Sequence, residues 1–202
     1  MTNPAGRVQR KPTWGTCAGL ILLAESANRT KKGGQELIGG LDVRVNRNHF
    51  GRQTESFQAN LDLPFLSSSD SETERSMHDP FRAIFIRAPI VERLLPQLEG
   101  PQESEAKIGD TVIAPSRQAK AGFDRDLMLE KVEVLATLPG RTTALDSDSQ
   151  DRLNKEAGDI VAVKQANVFG TSFHPELTGD ARIHVWWLEQ VLRELHMVNV
   201  AV

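Results

Sequence analysis

The residues best suited to chemistry in this sequence are one cysteine and one of five histidines. Cys17 is the only cysteine of 202 residues and stands in the run Gly15-Thr16-Cys17-Ala18-Gly19. A G-x-C-x-G run between a strand and a helix has the spacing of a nucleophile elbow, a sharp turn that lifts the central side chain clear of a sheet. A thiolate there has the positive end of the helix behind it, and the backbone N–H of Ala18 is available to a developing oxyanion. Without that setting an isolated cysteine reads as a small buried hydrophobe.

A cysteine nucleophile needs a base. Of His49, His78, His174, His184 and His196, His174 has the most suitable company. It ends the apolar run Val168 to Phe173 and is followed by Pro175 and Glu176. Pro175 biases His174 away from helix, and in extended backbone residues two apart share a side, so Glu176 can hydrogen-bond the imidazole and fix its tautomer. His78 lies in a polar stretch, His184 and His196 fall in a terminal helix as solvated or packing residues, and His49 is the weakest competitor. His174 and Glu176 as metal ligands would lack a third partner. The Gly33-Gly34 to Gly39-Gly40 segment has neither a Gly-Lys-Ser/Thr nor a G-x-G-x-x-G pattern and reads as a loop.

Elements must position these groups. Lys11 to Thr16 reads as a strand and Ala18 to Ala27 as a largely buried helix. Leu41, Val43 and Val45 alternate with Asp42, Arg44 and Asn46, the pattern of a half-buried strand. Phe57, Ala59, Leu61 and Leu63 repeat it, and the two runs are expected to pair across the Asn48 to Thr54 turn. Ala83 to Ile86 is a further strand; Val132, Val134 and Ala136 form another; Ile160 to Lys164 and Val168 to Phe173 form a final pair around Ala166-Asn167. The chain ends in a helix whose Ile183, Trp187, Val191 and Leu195, joined by Trp186, Leu188 and Leu192, form an apolar stripe that should pack on a sheet. Residues 67–79 and 99–126 are expected to be polar, loop-like surface insertions.

The composition is that of an ordinary soluble domain, 39% hydrophobic and 25% charged. A net charge of -3 does not suggest a nucleic-acid partner. A single cysteine forms no internal disulfide, and no apolar run reaches the roughly 18 residues of a membrane span. A secretory-signal reading of the N-terminus is weakened by Gly15, Thr16, Cys17 and Gly19, so a cytoplasmic location is expected.

Gly15 to Gly19 together with Ser172-Phe173-His174-Pro175-Glu176-Leu177 resembles the class I glutamine amidotransferase family. Arg47-Asn48-His49-Phe50-Gly51-Arg52-Gln53 with Ser56-Phe57, the run Phe85-Ile86-Arg87-Ala88-Pro89, and the phrase TSFHPELTGD narrow the resemblance to the glutaminase subunits of pyridoxal 5'-phosphate synthase. It implies an α/β, three-layer doubly wound (flavodoxin-like) fold over residues 10–198, with residues 1–9 outside the family pattern. It implies hydrolysis of L-glutamine by Cys17, His174 and Glu176, and glutamine contacts from Arg47, Ile86 and Arg87. Ammonia would pass to a synthase partner that builds pyridoxal phosphate from a pentose phosphate and a triose phosphate, and this chain would need no cofactor. In the family two βα units precede the cysteine, which at about 30 residues each would put it beyond about position 60. The sequence is therefore read as lacking the family's N-terminal part and its Gly-Gly-Glu-Ser type oxyanion loop. An impaired form that serves as an interaction protein for the synthase, and a peptidase or hydrolase of related fold, are the alternatives.

Overall fold

The computed structural model describes residues 11–29, 35–47, 56–66, 79–98, 101–115, 130–138 and 159–200. Strand β1 (Thr13–Thr16) runs through Cys17 into a short helix α1 (Ala18–Leu23), which passes directly into β2 (Ala24–Asn28). The expected helix to Ala27 therefore ends four residues early. Ala24 is already extended, with φ -70° and ψ 148°, because residues 24–28 are held as a strand between β3 (Leu41–Asn46) and β7 (Thr111–Ile113). Sheet pairing overrides the helical propensity of an Ala- and Leu-rich run.

These strands belong to an eight-stranded mixed sheet with β6 (Ile90–Leu94), β8 (Glu133–Leu138), β9 (Asp159–Gln165) and β10 (Val168–Thr171). Its order is β1-β10-β9-β6-β3-β2-β7, with β8 pairing β9. The pairs β1 with β10 and β2 with β3 are parallel, and the remainder are antiparallel. The expected hairpin of residues 160–164 and 168–173 is present, turning at Ala166, whose φ is 50°.

Strand β3 does not pair with the run that follows it. Its two edges are taken by β2 and β6, while β4 (Ser56–Leu61) pairs with β5 (Phe81–Ile86) as a separate two-stranded sheet, from Ser56 opposite Ile86 to Leu61 opposite Phe81. Nor is β3 half-buried. Asp42 and Arg44 are as buried as their apolar neighbours, because the strand is central in its sheet and each polar group has a partner. The Gln165 side chain accepts from the Asp42 backbone N–H and donates to the Asp42 carboxylate, and Arg44 reaches Glu92 and Glu105. In β4 the expected alternation holds, with Phe57, Ala59 and Leu61 turned inward and Gln58 and Asn60 exposed. In β8 a bulge between Val134 and Ala136 breaks it, so Val134 is exposed while Ala136 and Leu138 are buried.

Within residues 99–126, the described part is no loose insertion. Helix α2 (Glu103–Ala106) buries Glu105, and β7 hydrogen-bonds β2 as an edge of the main sheet. The apolar runs there are simply too short to show a period. Residues 67–78, 99–100 and 116–126, the rest of the two expected insertions, lie outside the described residues.

The main sheet is buried on both faces. Neighbouring residues fall into different cores: Phe169 and Ala162 pack with Trp14, Phe173 and Ile183, whereas Val168 and Val163 pack with Leu20, Leu23, Val43 and Val45. Successive strand residues point to opposite faces, so two cores mean a layer on each side, the α/β arrangement the sequence led one to expect. Helix α1 supplies one layer through Leu20 and Leu23. The terminal helix α3 (Arg182–Val200) supplies the other through Ile183, Trp186 and Trp187. The expected stripe is covered only at its start. Leu188, Leu192 and Leu195, with Val185, are half exposed, because the aromatic cluster of Trp14, Phe65, Phe169, Trp186 and Trp187 occupies the helix's first two turns.

Candidate active site

Cys17 occupies the turn between β1 and α1 with φ 48° and ψ -104°. A positive φ is uncommon for a residue with a side chain, and such conformations persist only where the surroundings fix them. Here the surroundings are specific. The Cys17 N–H donates to the carbonyl of Thr171 on β10 at 2.7 Å, and the Cys17 carbonyl accepts from Ile21 at 3.4 Å. Gly15 lets the helix fold back onto its own strand: a Cβ at that position would stand 2.5 Å from the Gly19 carbonyl carbon and 2.6 Å from Leu23 Cδ1. Gly19, the second glycine of the pattern, has open space where its Cβ would be. Of the two flanking glycines only Gly15 is demanded by the turn.

The Cys17 thiol points to β5, with Sγ 3.9 Å from the carbonyl oxygen of Ile86. His174 meets the same strand edge, its N–H donating to the carbonyl of Ile84 at 2.8 Å. Residues two apart in a strand direct their carbonyls to the same side and are about 7 Å apart. Strand β5 thus draws the cysteine turn and the histidine turn together, although 157 residues separate them in sequence. Past its end Arg87 is held at φ 46°. Two of the four non-glycine residues with positive φ among the described residues, Cys17 and Arg87, therefore stand at this one place.

His174 Nδ1 lies 2.7 Å from Glu176 Oε1, the contact expected from their i, i+2 spacing. The backbone there is a single 3-10 turn (Pro175–Leu177), because Pro175 cannot extend a strand pairing. Burial raises the Glu176 carboxyl, but the hydrogen bond with His174, its own backbone N–H and the charges of His174 and His184 outweigh it and hold the group below the usual carboxylate range. Burial pushes the Cys17 thiol up and the Glu176 charge adds to this, while the Ala18 N–H and Arg87 act the other way without cancelling it. At rest Cys17 is therefore a protonated thiol, and as a nucleophile it must give that proton to a base as it attacks.

Of the residues expected at the site, Cys17, Ala18, Ile86, Arg87, His174 and Glu176 come together. Arg47 does not join them through any contact among the described residues. Its N–H donates to Asn28 Oδ1 at 2.7 Å and its Nη2 to the Gln35 carbonyl at 3.2 Å, while its buried Nε has no partner among the described residues. Burial lowers its affinity for the proton. Residues 48–55 and 67–78, which carry His49 and His78, lie outside the described residues. Sequence reasoning missed Thr171 and Trp14. The indole N–H of Trp14 donates to Thr171 Oγ1 at 3.2 Å, beneath the carbonyl that anchors Cys17. The signal lay in the parallel register of β1 on β10, which no local pattern encodes.

The sequence profile of the SNO glutamine amidotransferase family matches residues 6–122 and 114–193, beginning inside the 1–9 segment set outside the family pattern above. The chain is 39% identical over 179 residues to a protein of Arabidopsis thaliana named probable pyridoxal 5'-phosphate synthase subunit PDX2, covering 89% of this chain and 57% of that one. It is 34% identical to the pyridoxal 5'-phosphate synthase subunit PdxT of Herpetosiphon aurantiacus, covering 88% and 61%. A crystal structure of a glutamine amidotransferase superposes with a TM-score of 0.50 at 31% identity, over 88% of this chain and 59% of that one. The chain thus spans about three fifths of the length of the relatives it matches. With the cysteine turn, the His-Glu pair and the two-faced sheet in hand, these matches establish that the chain belongs to the SNO glutamine amidotransferase family.

Proposed function

We propose that this chain hydrolyses L-glutamine to glutamate and ammonia, with Cys17 as nucleophile, His174 as general base and acid, and Glu176 holding the imidazole. Its ammonia goes to a pyridoxal 5'-phosphate synthase subunit with which it forms a hetero-oligomer, so that it serves vitamin B6 biosynthesis in the cytoplasm. The observation that carries this reading is the convergence of a strained Cys17 and the His174–Glu176 pair on one edge of β5.

His174 takes the thiol proton as Sγ attacks the side-chain amide carbon of glutamine, and the Ala18 N–H faces the developing oxyanion. The same proton passes to the departing nitrogen as the C–N bond breaks, releasing ammonia and leaving a γ-glutamyl thioester. Water, deprotonated by His174, attacks the thioester; the C–S bond breaks, glutamate leaves and the thiol is restored. The backbone of Ile86, the guanidinium of Arg87 and that of Arg47 hold the substrate. Arg47 suits a carboxylate because it is a buried cation whose Nε has no partner among the described residues. No cofactor takes part.

A second reading is an impaired form that binds the synthase subunit and turns over little glutamine. It is favoured by the state of the Cys17 thiol, which burial and the Glu176 charge hold in its protonated, less nucleophilic form. The two readings separate on one experiment: glutamate release with the synthase subunit present, for the wild type and Cys17→Ser, alongside sedimentation of the mixture. Turnover abolished by Cys17→Ser supports the enzyme. A complex without turnover supports the second reading, and turnover that survives in Cys17→Ser overturns the nucleophile.

A further inference from the structure

The parallel register of β1 on β10 sets Trp14 beside Phe169 and Thr16 beside Thr171. Successive strand residues face opposite ways. Gly15 therefore meets α1, where Gly19 and Leu23 crowd the place of its missing Cβ, and Trp14 takes the other face with Phe169 and Thr171. The Trp14 ring lies 5.2 Å from that of Phe169 and 6.1 Å from that of Trp187 on α3. Its N–H donates to Thr171 Oγ1 at 3.2 Å. Thr171 is fully buried, a position in which a hydroxyl needs a hydrogen-bond partner, and its carbonyl accepts the Cys17 N–H at 2.7 Å. One threonine thus links the indole to the backbone of the cysteine through two hydrogen bonds.

We propose that Trp14 and Thr171 are positioning residues for the nucleophile: the indole locks Thr171, and the Thr171 carbonyl holds Cys17 in the strained conformation that aims its thiol at the edge of β5. The consequence for turnover rests on the glutaminase reading above, and the clamp itself does not. A residue at φ 48° and ψ -104° relaxes unless its surroundings fix it. Helix α1 is the weaker constraint, since its bond from Ile21 to the Cys17 carbonyl is 3.4 Å long against 2.7 Å for the bond to Thr171. If the Thr171 carbonyl shifts, the Cys17 backbone turns and Sγ leaves its place 3.9 Å from the Ile86 carbonyl. The clamp sets where the thiol sits and makes no contact that would hold glutamine, so its loss falls on kcat and leaves KM little changed.

Two variants remove the bond from either end. Thr171→Val exchanges the hydroxyl for a methyl of similar shape, and Trp14→Phe keeps an aromatic ring on Phe169 without the N–H. Each is expected to lower kcat roughly three- to tenfold, the scale of one neutral hydrogen bond. Thr171→Ser, which restores the hydroxyl, recovers most of the loss. Because both variants break the same bond, the double variant should lose no more than the worse single one, and a loss equal to the product of the two overturns the proposal. The clamp is also read without turnover, from residue-resolved hydrogen exchange of the intact chain. The Cys17 amide is expected to exchange roughly three- to tenfold faster in Thr171→Val and Trp14→Phe, measured against the Val45 amide of β3, and to return towards the wild-type rate in Thr171→Ser. A Cys17 amide that stays unmoved, or that quickens only as much as Val45, overturns the proposal whether or not the chain turns over glutamine. Selective quickening at Cys17 in a chain without turnover supports the clamp and defeats the glutaminase reading alone.

Discussion

At the scale of single residues, the thiol of Cys17 is governed by opposing influences of similar origin. Burial and the Glu176 carboxylate keep its proton on, and the Ala18 N–H and Arg87 favour its loss. The balance lies with the thiol, so the folded protein retains this proton to higher pH than the unfolded chain does. Alkylation of Cys17 by iodoacetamide should therefore rise at higher pH in the native protein than in the same protein unfolded in urea. A native midpoint at or below the unfolded one would show that the Ala18 N–H and Arg87 dominate. By the same linkage Cys17 contributes stability that is present below the ordinary thiol range and is lost as pH rises through it.

At the scale of elements, the turn that exposes Cys17 is set by the contact of α1 with β1, and its two glycines are not equivalent. Gly15→Ala forces a methyl into the Gly19 backbone and Leu23, and an overpacked contact of this kind costs about 1–3 kcal/mol. Gly19→Ala adds a methyl to open space within a helix and is expected to stabilise by about 0.5–1 kcal/mol. Urea denaturation of the two variants checks the order, which inverts if the turn is held by Gly19. Helix α3 shows the same local economy. Ile183 is fully buried on the sheet, whereas Leu188, two residues past Trp186, is 59% exposed, so the anchoring of the helix near Glu176 rests on its first two turns.

At the scale of the whole molecule, the far half of the sheet is joined by one buried ionic group. Glu105 of α2, 3% exposed, accepts from Ser26 of β2 at 2.7 Å and from Arg44 of β3 at 2.9 Å, and pairs with Arg93 of β6. Arg44 also donates to Thr111 of β7. Four elements thus meet on one carboxylate, and β7 joins them through Arg44. Burial raises that carboxyl, but Ser26, Arg44 and Arg93 together hold it below the usual range. A depressed pKa contributes stability that is present above the ordinary carboxylate range and is lost as pH falls through it. Glu105→Ala leaves Arg44 buried without that partner and is expected to cost about 3–5 kcal/mol. The wild type should lose stability between neutral pH and the acid range more steeply than the variant does. Denaturant melts of both proteins across that range provide the test, and parallel pH curves would remove Glu105 from the account.

The sequence by itself determined the parts whose information is local. Gly-x-Cys-x-Gly at a strand-to-helix junction specifies a turn, His-Pro-Glu specifies a contact between residues two apart, and alternating Phe57, Ala59 and Leu61 specify one face of a strand. Each depends on backbone geometry spanning a few residues. Only the tertiary structure decided which strands are neighbours, because pairing is a competition among edges scattered along the chain: β2 left the helix to lie between β3 and β7, and β3 took β2 and β6 instead of β4. It likewise decided that Asp42 and Arg44 are interior, since a polar residue's burial depends on a partner such as Gln165 or Glu105 that lies far off in sequence. The meeting of Cys17 with His174 belongs to the same class. Local pattern supplied the two groups, and the edge of β5, with Ile84 under one and Ile86 under the other, supplied the distance between them.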